Sequence, residues 1–327
     1  MEAFEYVSVS TKQDAVELLS DSESQSALLA GGTDLLSLMK DSIVTPKRLV
    51  NIKSIKELQG IDSSSSGLRL GVLSTLDDLL ANRKVKQEYP SLWQAAEGVR
   101  SPQIQSTGTV GGDLCQRPRC WYYRNGYGLL AMLDGKSMVL AGDNRYHAIL
   151  GNSGPAYFVN PSSLAPALIA LDASITIYGS DGAKKVKLQD FYQIPSGQDQ
   201  LEYKLNDGQI LTDIEVPSAA GTQNATYEVR QKENLDWPLA AAAVALEMDG
   251  SRIREARVVL GHVAPIPWRA SAAERLLVGK TLSESVAEQA GEAAIGGAKS
   301  LGGNKYKIQL ARVAVKRALL RATGREV

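Results

Sequence analysis

The sequence is poor in the side chains that most often carry chemistry. It has two cysteines and two histidines among 327 residues. Cys115 and Cys120 are too few for a disulfide framework or for a cluster held by four thiolates of this chain alone. His147 has no second histidine or thiol near it in sequence, and His262 precedes a proline-rich loop, so both are more typical of structural histidines. We therefore predict no metal ligand and no catalytic residue among them.

The chain also lacks an excess of charge and a long apolar run. Its 36 basic residues match its 36 acidic residues, so nothing suggests a nucleic-acid partner. The apolar run from Pro238 to Leu246 is about half of what a bilayer crossing needs, so we expect no membrane span. The first residues lack the basic and apolar regions of a signal peptide. We expect a cytoplasmic protein, or a periplasmic one if it is exported with a signal-bearing partner.

Sequence signatures of catalytic sites are missing as well. The sequence contains neither HExxH nor GxSxG, and its acidic residues are scattered over polar faces, where solvation explains them. Chemistry that depends on a bound group would need little from such side chains.

What the chain does have is a pair of Gly-Gly turns. The first follows Ala27 to Ala30, which predicts a buried strand, and precedes Asp34 to Met39, which predicts the start of a helix. Gly31 and Gly32 between them leave backbone N–H groups free to point outward. Such a turn binds an anion without a basic side chain.

The second turn lies about eighty residues later. Ser106, Thr107 and Thr109 place hydroxyl groups beside Gly111 and Gly112, which suits a pyrophosphate approached from two sides. A single Gly-Gly pair is usually only a turn, and neither pair matches the GxGxxG or P-loop patterns. The two turns together therefore carry the prediction of a phosphorylated cofactor.

Local signals predict several boundaries before the second turn. Thr11 and Thr75 each precede a helical apolar pattern and are placed to cap those helices. Asp62 to Gly67 predicts a solvated hairpin tip, which the strand Leu68 to Val72 follows.

The whole chain predicts an α+β protein of two domains. Residues 1–60 would form a first lobe and residues 61–218 a second lobe of one domain. The composition from Pro217 to Gly221 indicates a boundary, and residues 219–327 predict a small antiparallel sheet covered by helices. The predicted hairpin strands are Leu239–Met248 and Ile253–Leu260, and the predicted helices are Ser271–Val278, Ser283–Ile295 and Ile308–Ala322.

Four segments, taken in order, resemble the flavin subunits of the molybdenum hydroxylase family, which includes xanthine dehydrogenase and carbon monoxide dehydrogenase. The segments are Ala30–Leu36, Thr109–Leu114, Pro161–Leu168 and Gly261–Arg269. The resemblance implies a two-lobed PCMH-type FAD-binding domain at residues 1–218, with FAD between the lobes. It also implies a CO dehydrogenase flavoprotein-like C-terminal domain at residues 219–327.

The resemblance also implies a division of labour. A molybdopterin-binding large subunit would oxidise the substrate, with aldehydes the favoured class, and a [2Fe-2S] small subunit would relay electrons. This chain would take them through FAD and pass them to an external acceptor. The implied FAD-binding residues are Leu28, Leu29, Ala30, Gly31, Gly32, Thr33, Asp34, Leu35, Ser106, Thr107, Thr109, Gly111, Gly112, Asp113, Ser163, Leu164 and Lys232. Ser163 stands where the family usually has an aspartate, which puts the details of flavin tuning in question.

Residues 115–155 resemble one branch of the family, whose flavin subunits hold a [4Fe-4S] cluster in an inserted loop. Cys120 stands in the matching motif. The corresponding stretches at Asp134–Met138 and Gly151–Pro155 contain no cysteine, and a hydroxyl or thioether does not replace a cluster thiolate. We therefore predict that the loop is retained and that the chain holds no iron–sulfur cluster.

Several alternatives stay open at this point. The segment from Arg117 to Arg124 forms either a cationic, aromatic surface toward the flavin or a partner, or a loop whose aromatics pack on the core. On the predicted strand Tyr227–Lys232, Lys232, with Arg230 second, is either a basic residue beside the flavin or a solvated charge. The chain could also be a self-sufficient FAD-linked oxidase of a small substrate, or a nucleotide-binding module without redox chemistry.

Overall fold

The computed structural model describes residues 1–21, 23, 25–232 and 236–325. Its first part is a three-stranded parallel sheet in the order β1-β3-β2, formed by β1 (Glu5–Ser8), β2 (Ser26–Leu29) and β3 (Arg48–Asn51). Helices α1 (Lys12–Ser20) and α2 (Leu35–Lys40) belong to this lobe. Thr11 caps α1 by accepting a hydrogen bond from the Asp14 N–H at 3.1 Å, as predicted.

The second lobe contains a five-stranded antiparallel sheet in the order β4-β5-β10-β8-β9. Its strands are β4 (Ile61–Ser63), β5 (Gly67–Gly71), β8 (Ser174–Gly179), β9 (Gly182–Lys187) and β10 (Ile210–Pro217). Between β5 and β8 the chain forms α3 (Leu76–Ala81), α4 (Arg83–Glu88), α5 (Pro90–Gly98), α6 (Pro102–Thr107), α7 (Val110–Leu114), α8 (Trp121–Arg124), the small hairpin β6 (Met132–Leu133) and β7 (Lys136–Ser137), α9 (Met138–Ala141) and α10 (Leu164–Ala170). Helix α11 (Leu188–Phe191) follows β9.

The C-terminal part is a four-stranded antiparallel sheet in the order of the chain, covered by helices. The strands are β11 (Thr222–Val229), β12 (Ala240–Asp249), β13 (Arg252–Gly261) and β14 (Trp268–Arg269), and the helices are α12 (Ser271–Leu277), α13 (Glu284–Ala294) and α14 (Tyr306–Ala322). The predicted hairpin and the three predicted helices are present. The α+β prediction is confirmed.

The alanine-rich strand β12 lies between two hydrophobic clusters. Ala243 and Ala245 pack in the cluster that continues into the second lobe, whereas Ala242 and Val244 pack with the C-terminal helices. Successive side chains of a strand point to opposite faces, so the small side chains allow close packing on both faces of β12.

One predicted strand is too long. β11 ends at Val229, which pairs with Ala240, the first residue of β12. Arg230 and Lys232 therefore lie beyond the last paired residue of β11. Within the described ranges no helix is long and apolar enough to cross a membrane.

Candidate functional site

The two Gly-Gly turns meet in space. A Cβ atom placed on Gly31 would lie 1.8 Å from the carbonyl oxygen of Thr107, so only glycine fits where the first turn touches the second. Gly32 has a φ of +74°, a left-handed conformation that glycine adopts at no steric cost. The contact brings the two lobes together at the place where the sequence predicts the cofactor.

The first turn keeps its backbone donors available. In the part of the chain that the structure describes, the N–H groups of Gly31, Gly32 and Thr33 make no hydrogen bond, whereas the Leu36 N–H bonds the Gly32 carbonyl oxygen at 3.1 Å and starts α2. Three consecutive free donors before a helix are suited to phosphate oxygens.

The second turn is itself the start of a helix. Thr109 caps α7 by accepting from the Gly112 N–H at 3.1 Å, and the Gly111 N–H donates to the Val72 carbonyl oxygen at 2.9 Å. The hydroxyl groups of Ser106 and Thr107 donate to the carbonyl oxygen of Gln103 in their own helix α6. The structure therefore does not bring those two hydroxyls into the cleft, and Thr107 contributes its backbone carbonyl against Gly31.

A cleft of about 640 Å³ opens beside both turns, a volume typical of small-molecule sites. The predicted residues that line it are Leu28, Ala30, Gly31, Gly32, Thr33, Asp34, Leu35, Thr109, Gly111 and Gly112. The rest of the lining consists of residues that sequence reasoning missed. They include Thr45, Pro46, Ile52, Val72, Leu73, Cys115, Tyr203 and Leu205. Most of these are apolar and lie far apart in sequence, so no local pattern marks them. Leu29 is buried beneath the turn.

A smaller cavity of about 110 Å³ continues past the turns. It shares Thr33, Asp34, Thr109 and Gly112 with the large cleft and is lined in addition by Asp113, Ser163, Arg230 and Trp237. An extended ligand could therefore pass between the glycine turns and reach both cavities. Trp237 and Arg230 come from the segment between β11 and β12, so the C-terminal part contributes to this side.

Asp34 fixes the first turn to the segment Arg117–Arg124. Its carboxylate accepts from the guanidinium group of Arg124 at 2.8 Å and from the backbone N–H of Arg117 at 2.8 Å. It also forms an ion pair with Arg119, whose nitrogen lies 3.1 Å away. Arg119 and Arg124 share this one carboxylate.

The remaining contacts of that segment are also internal. The Arg117 side chain pairs with buried Glu202 at 3.0 Å, and burial raises the pKa of Glu202 against the opposing effect of Arg117. Tyr123 is buried with the guanidinium carbons of Arg117 and Arg124 at 5.3 and 5.8 Å from its ring centre. Tyr123 is thus buried as the packed-loop interpretation predicts, whereas Arg117 lines the large cleft and Arg119 the smaller cavity. Both interpretations of this segment stay predictions.

Asp113 holds the start of α10. It accepts from the Ser162 hydroxyl, from the Leu164 N–H at 3.0 Å and from the Ser163 N–H at 3.2 Å. Burial raises the pKa of Asp113, and these hydrogen bonds oppose the shift. The structure thus brings together Asp113, Ser163 and Leu164, three residues predicted from separate motifs. Asp113 thus caps the first N–H group of α10, while the Ser162 hydroxyl accepts from the Ala165 N–H at 2.9 Å.

The two basic candidates after β11 lie in different places. Arg230 lines the smaller cavity and pairs with Glu228, with Nε 3.2 Å from the carboxylate. Lys232 is exposed and lines neither cavity beside the turns. Because β11 ends at Val229, the alternation of side chains along the strand does not extend to Lys232. Arg230, not Lys232, lines the same cavity as Ser163.

Two families of known proteins match this chain. Residues 2–219 match the FAD binding domain in molybdopterin dehydrogenase, and residues 225–322 match the CO dehydrogenase flavoprotein C-terminal domain. The aldehyde oxidoreductase FAD-binding subunit PaoB of Escherichia coli K12 is 32% identical over 284 residues, covering 85% of this chain and 86% of PaoB. The carbon monoxide dehydrogenase medium chain of Hydrogenophaga pseudoflava is 28% identical over 326 residues, covering 98% of each chain.

Solved structures show the same likeness. A carbon monoxide dehydrogenase from Hydrogenophaga pseudoflava that lacks the Mo-pyranopterin moiety contains a chain with a TM-score of 0.79 and 28% identity, and the match covers 100% of this chain and 99% of the other. For quinoline 2-oxidoreductase from Pseudomonas putida 86 the TM-score is 0.76 at 26% identity, covering 99% and 98%.

Proposed function

This chain belongs to the FAD-binding subunits of the molybdenum hydroxylase family, and from that premise we propose that it transfers electrons from a [2Fe-2S] subunit to an external acceptor. The partners would be that small subunit and a molybdopterin-binding large subunit. PaoB and the glyceraldehyde dehydrogenase medium chain of Sulfolobus acidocaldarius are among the relatives. Their names favour an aldehyde as the substrate of the complex.

One observation carries the proposal, namely that the two glycine turns touch at Gly31 and Thr107 and share one cleft. The free N–H groups of Gly31, Gly32 and Thr33 would bind phosphate oxygens of FAD. Bound FAD would supply the redox chemistry, for which the protein sets position, potential and access.

The chain's own residues would hold the cofactor from both sides of the turns. We propose that the predicted residues lining the large cleft hold one part of FAD. Among them, Asp34 is kept in place by Arg119 and Arg124. Asp113 would act indirectly, since it fixes Ser163 and the start of α10 beside the smaller cavity. In place of Lys232 we propose Arg230, because it lines that cavity.

We retain the proposal that this chain carries no [4Fe-4S] cluster. Cys120 lies with its sulfur 3.2 Å from Nε2 of His147, and Cys115 lines the large cleft instead. Among the described residues, no group of three or more histidine, cysteine or acidic side chains is arranged to hold a metal ion. Iron analysis of the purified chain tests this point.

FAD binding at the turns is tested by Gly31→Ala, with Gly297→Ala as the matched control. The new methyl group at position 31 would overlap the Thr107 carbonyl, whereas at position 297 no atom lies within 4 Å. We expect the control to purify with FAD and Gly31→Ala to purify without it, by visible absorption and by chromatography of the released cofactor. A Gly31→Ala chain that keeps full FAD content would contradict the assignment of the turns.

Electron transfer is tested separately in the assembled complex. Anaerobic addition of the aldehyde substrate should bleach the flavin absorption only when all three subunits are present, and an added acceptor should restore it. If the isolated, FAD-loaded chain turns over a small substrate by itself, the oxidase alternative is correct. Bound FAD that is never reduced in the complex would refute electron transfer while leaving FAD binding intact.

A further inference from the structure

A third cavity lies away from the glycine turns, between the segment after α7 and the C-terminal part. Its volume is about 460 Å³, within the usual range for small organic ligands. One side of the cavity is lined by Cys120, Trp121, Tyr146 and His147, and the other side by His262 and Lys307. Arg119 and Trp237 line both this cavity and the smaller one beside the turns.

Lys307 is a buried cation at this cavity. Its side chain belongs to a residue that is 1% exposed, and its ammonium donates to the carbonyl oxygens of His262 at 2.8 Å and Tyr146 at 3.0 Å. An ammonium group has three N–H donors, so one remains for a ligand. Burial lowers the pKa of Lys307 to about 7, and an entering anion would stabilise its charged form.

Further nitrogen atoms around the cavity lack hydrogen-bond partners. Within the described residues, Nε of Arg119, Nδ1 of His147 and Nε2 of His262 are buried and make no hydrogen bond. His147 is 3% exposed and His262 is 2% exposed. A buried polar atom without a partner costs free energy, so this clustering indicates a missing polar partner, and Nε of Arg119 requires an acceptor.

One tautomer of His147 leaves a donor free for a ligand. The sulfur of Cys120 lies 3.2 Å from Nε2 of His147, and burial raises the pKa of this thiol, so the thiol keeps its proton. Burial, together with Lys307, lowers the pKa of His147 to about 4, and the ring is neutral at pH 7. When Nε2 accepts from the thiol, the hydrogen of the ring is on Nδ1 and can be donated to a ligand.

The walls of the cavity are aromatic. Trp121 and Tyr146 meet edge to face with ring centres 5.4 Å apart, and Phe158 and Trp237 also line the space. The guanidinium carbon of Arg119 lies 4.7 Å from the ring centre of Trp237. Flat apolar walls around a donor-rich floor favour a planar ligand with an anionic end.

We propose that this cavity binds a planar organic anion, with an aromatic carboxylate as the representative class. The carboxylate would accept hydrogen bonds from Lys307 and His147, and the ring would pack against Trp121 and Tyr146. Asp236 is the one carboxylate among the described lining residues, so the charge of the site favours an anion. The inference rests on this chain's own residues and does not depend on electron transfer.

The test is calorimetric titration of benzoate into the FAD-loaded full chain. The Lys307→Met variant should weaken binding by about tenfold or more, because a hydrogen bond to a charged group is lost. Lys185→Met, at an exposed ion pair with Glu215, is the matched control and should stay within about twofold. Benzamide, which has the same shape without the charge, should bind more weakly than benzoate by about tenfold.

Tyr146→Ala gives a second route, since that side chain is 38% exposed and its removal leaves the core in place. It should weaken benzoate binding even if Lys307→Met proves too unstable to purify. The proposal is overturned if benzoate does not bind, if Lys307→Met and Lys185→Met behave alike, or if Tyr146→Ala has no effect. Binding only to FAD-free protein would also overturn it, because the space would then belong to the cofactor cleft.

Discussion

Asp34 shows how one side chain links the cofactor turn to a distant segment. Its carboxylate is shared by Arg119 and Arg124 and also accepts from the Arg117 N–H. All of these groups are largely buried, so their desolvation is offset only while the charges stay together. The residue therefore matters for the stability of the turn as well as for what the turn binds.

We expect Asp34→Asn to lower the free energy of unfolding by about 2 kcal/mol or more, because two partly buried guanidinium groups lose their counter-charge. Urea denaturation with saturating FAD measures the change. Asp62→Asn is the control, since Asp62 pairs with Arg69 at 3.3 Å on an exposed surface and should cost less than about 0.5 kcal/mol. Equal effects of the two variants would contradict the role of Asp34.

The buried histidines predict a loss of stability in acid. Burial lowers the pKa of His147 from 6.5 to about 4 and that of His262 from 6.5 to about 3. Between these values and 6.5 the unfolded chain binds protons that the folded chain does not, so stability falls as the pH falls. His147 contributes on the order of 3 kcal/mol to this loss, and His262 on the order of 5 kcal/mol.

The urea midpoint should therefore fall steeply between pH 6.5 and 4. The double variant His147→Gln, His262→Gln should be less stable at pH 7 but should show a much shallower pH dependence. If the double variant keeps the full slope, the carboxylates of the chain rather than these histidines cause it.

At the scale of elements, α10 receives part of its N-terminal cap from another helix. Asp113 follows the second glycine turn in α7 and accepts from the Leu164 and Ser163 N–H groups. Ser163, at the position before the helix, makes no capping bond of its own. The two elements that flank the smaller cavity are thus joined at one carboxylate.

We expect Asp113→Ala to lower the free energy of unfolding by about 1–2 kcal/mol, since the N–H groups at the start of α10 lose their acceptor. Asp113→Asn keeps an acceptor oxygen and should cost clearly less. Thermal and urea denaturation measure both variants, and flavin content shows whether the cavity is disturbed as well. Equal losses in the two variants would mean that packing rather than capping explains Asp113.

At the scale of the whole molecule, β12 joins two cores. Ala243 and Ala245 pack toward the second lobe, and Ala242 and Val244 pack toward the C-terminal helices. The division into domains at residues 218 and 219 stays a prediction. The shared strand predicts that the two parts lose their structure together.

We expect one thermal unfolding transition, and we expect Ala243→Leu to lower its midpoint as a single transition. Overfilling a buried site typically costs about 1–3 kcal/mol, and Ala243 is fully buried. Ala220→Leu, at an exposed turn position, should leave the midpoint nearly unchanged. Calorimetry that resolves two transitions, of which Ala243→Leu shifts only one, would show that the parts unfold independently.

The sequence by itself determined the features that depend on neighbours along the chain. Thr11 and Thr75 cap the helices that follow them, the hairpin of β12 and β13 forms at the two predicted strands, and the glycine turns stand where the strand and helix patterns meet. These features rest on hydrogen bonds and side-chain periodicity within a few residues. The two turns predicted a phosphorylated cofactor, and the family resemblance identified it as FAD.

Only the tertiary structure decided which distant groups meet. It placed the Thr107 carbonyl against Gly31, paired Arg124 with Asp34 across ninety residues, and put Asp113 at the start of α10. It also ended β11 at Val229, which moved Lys232 away from the turns and left Arg230 beside them. Such contacts depend on how whole elements pack and pair. The residue that pairs with a buried charge, or that ends the pairing of a strand, is distant from it in the sequence.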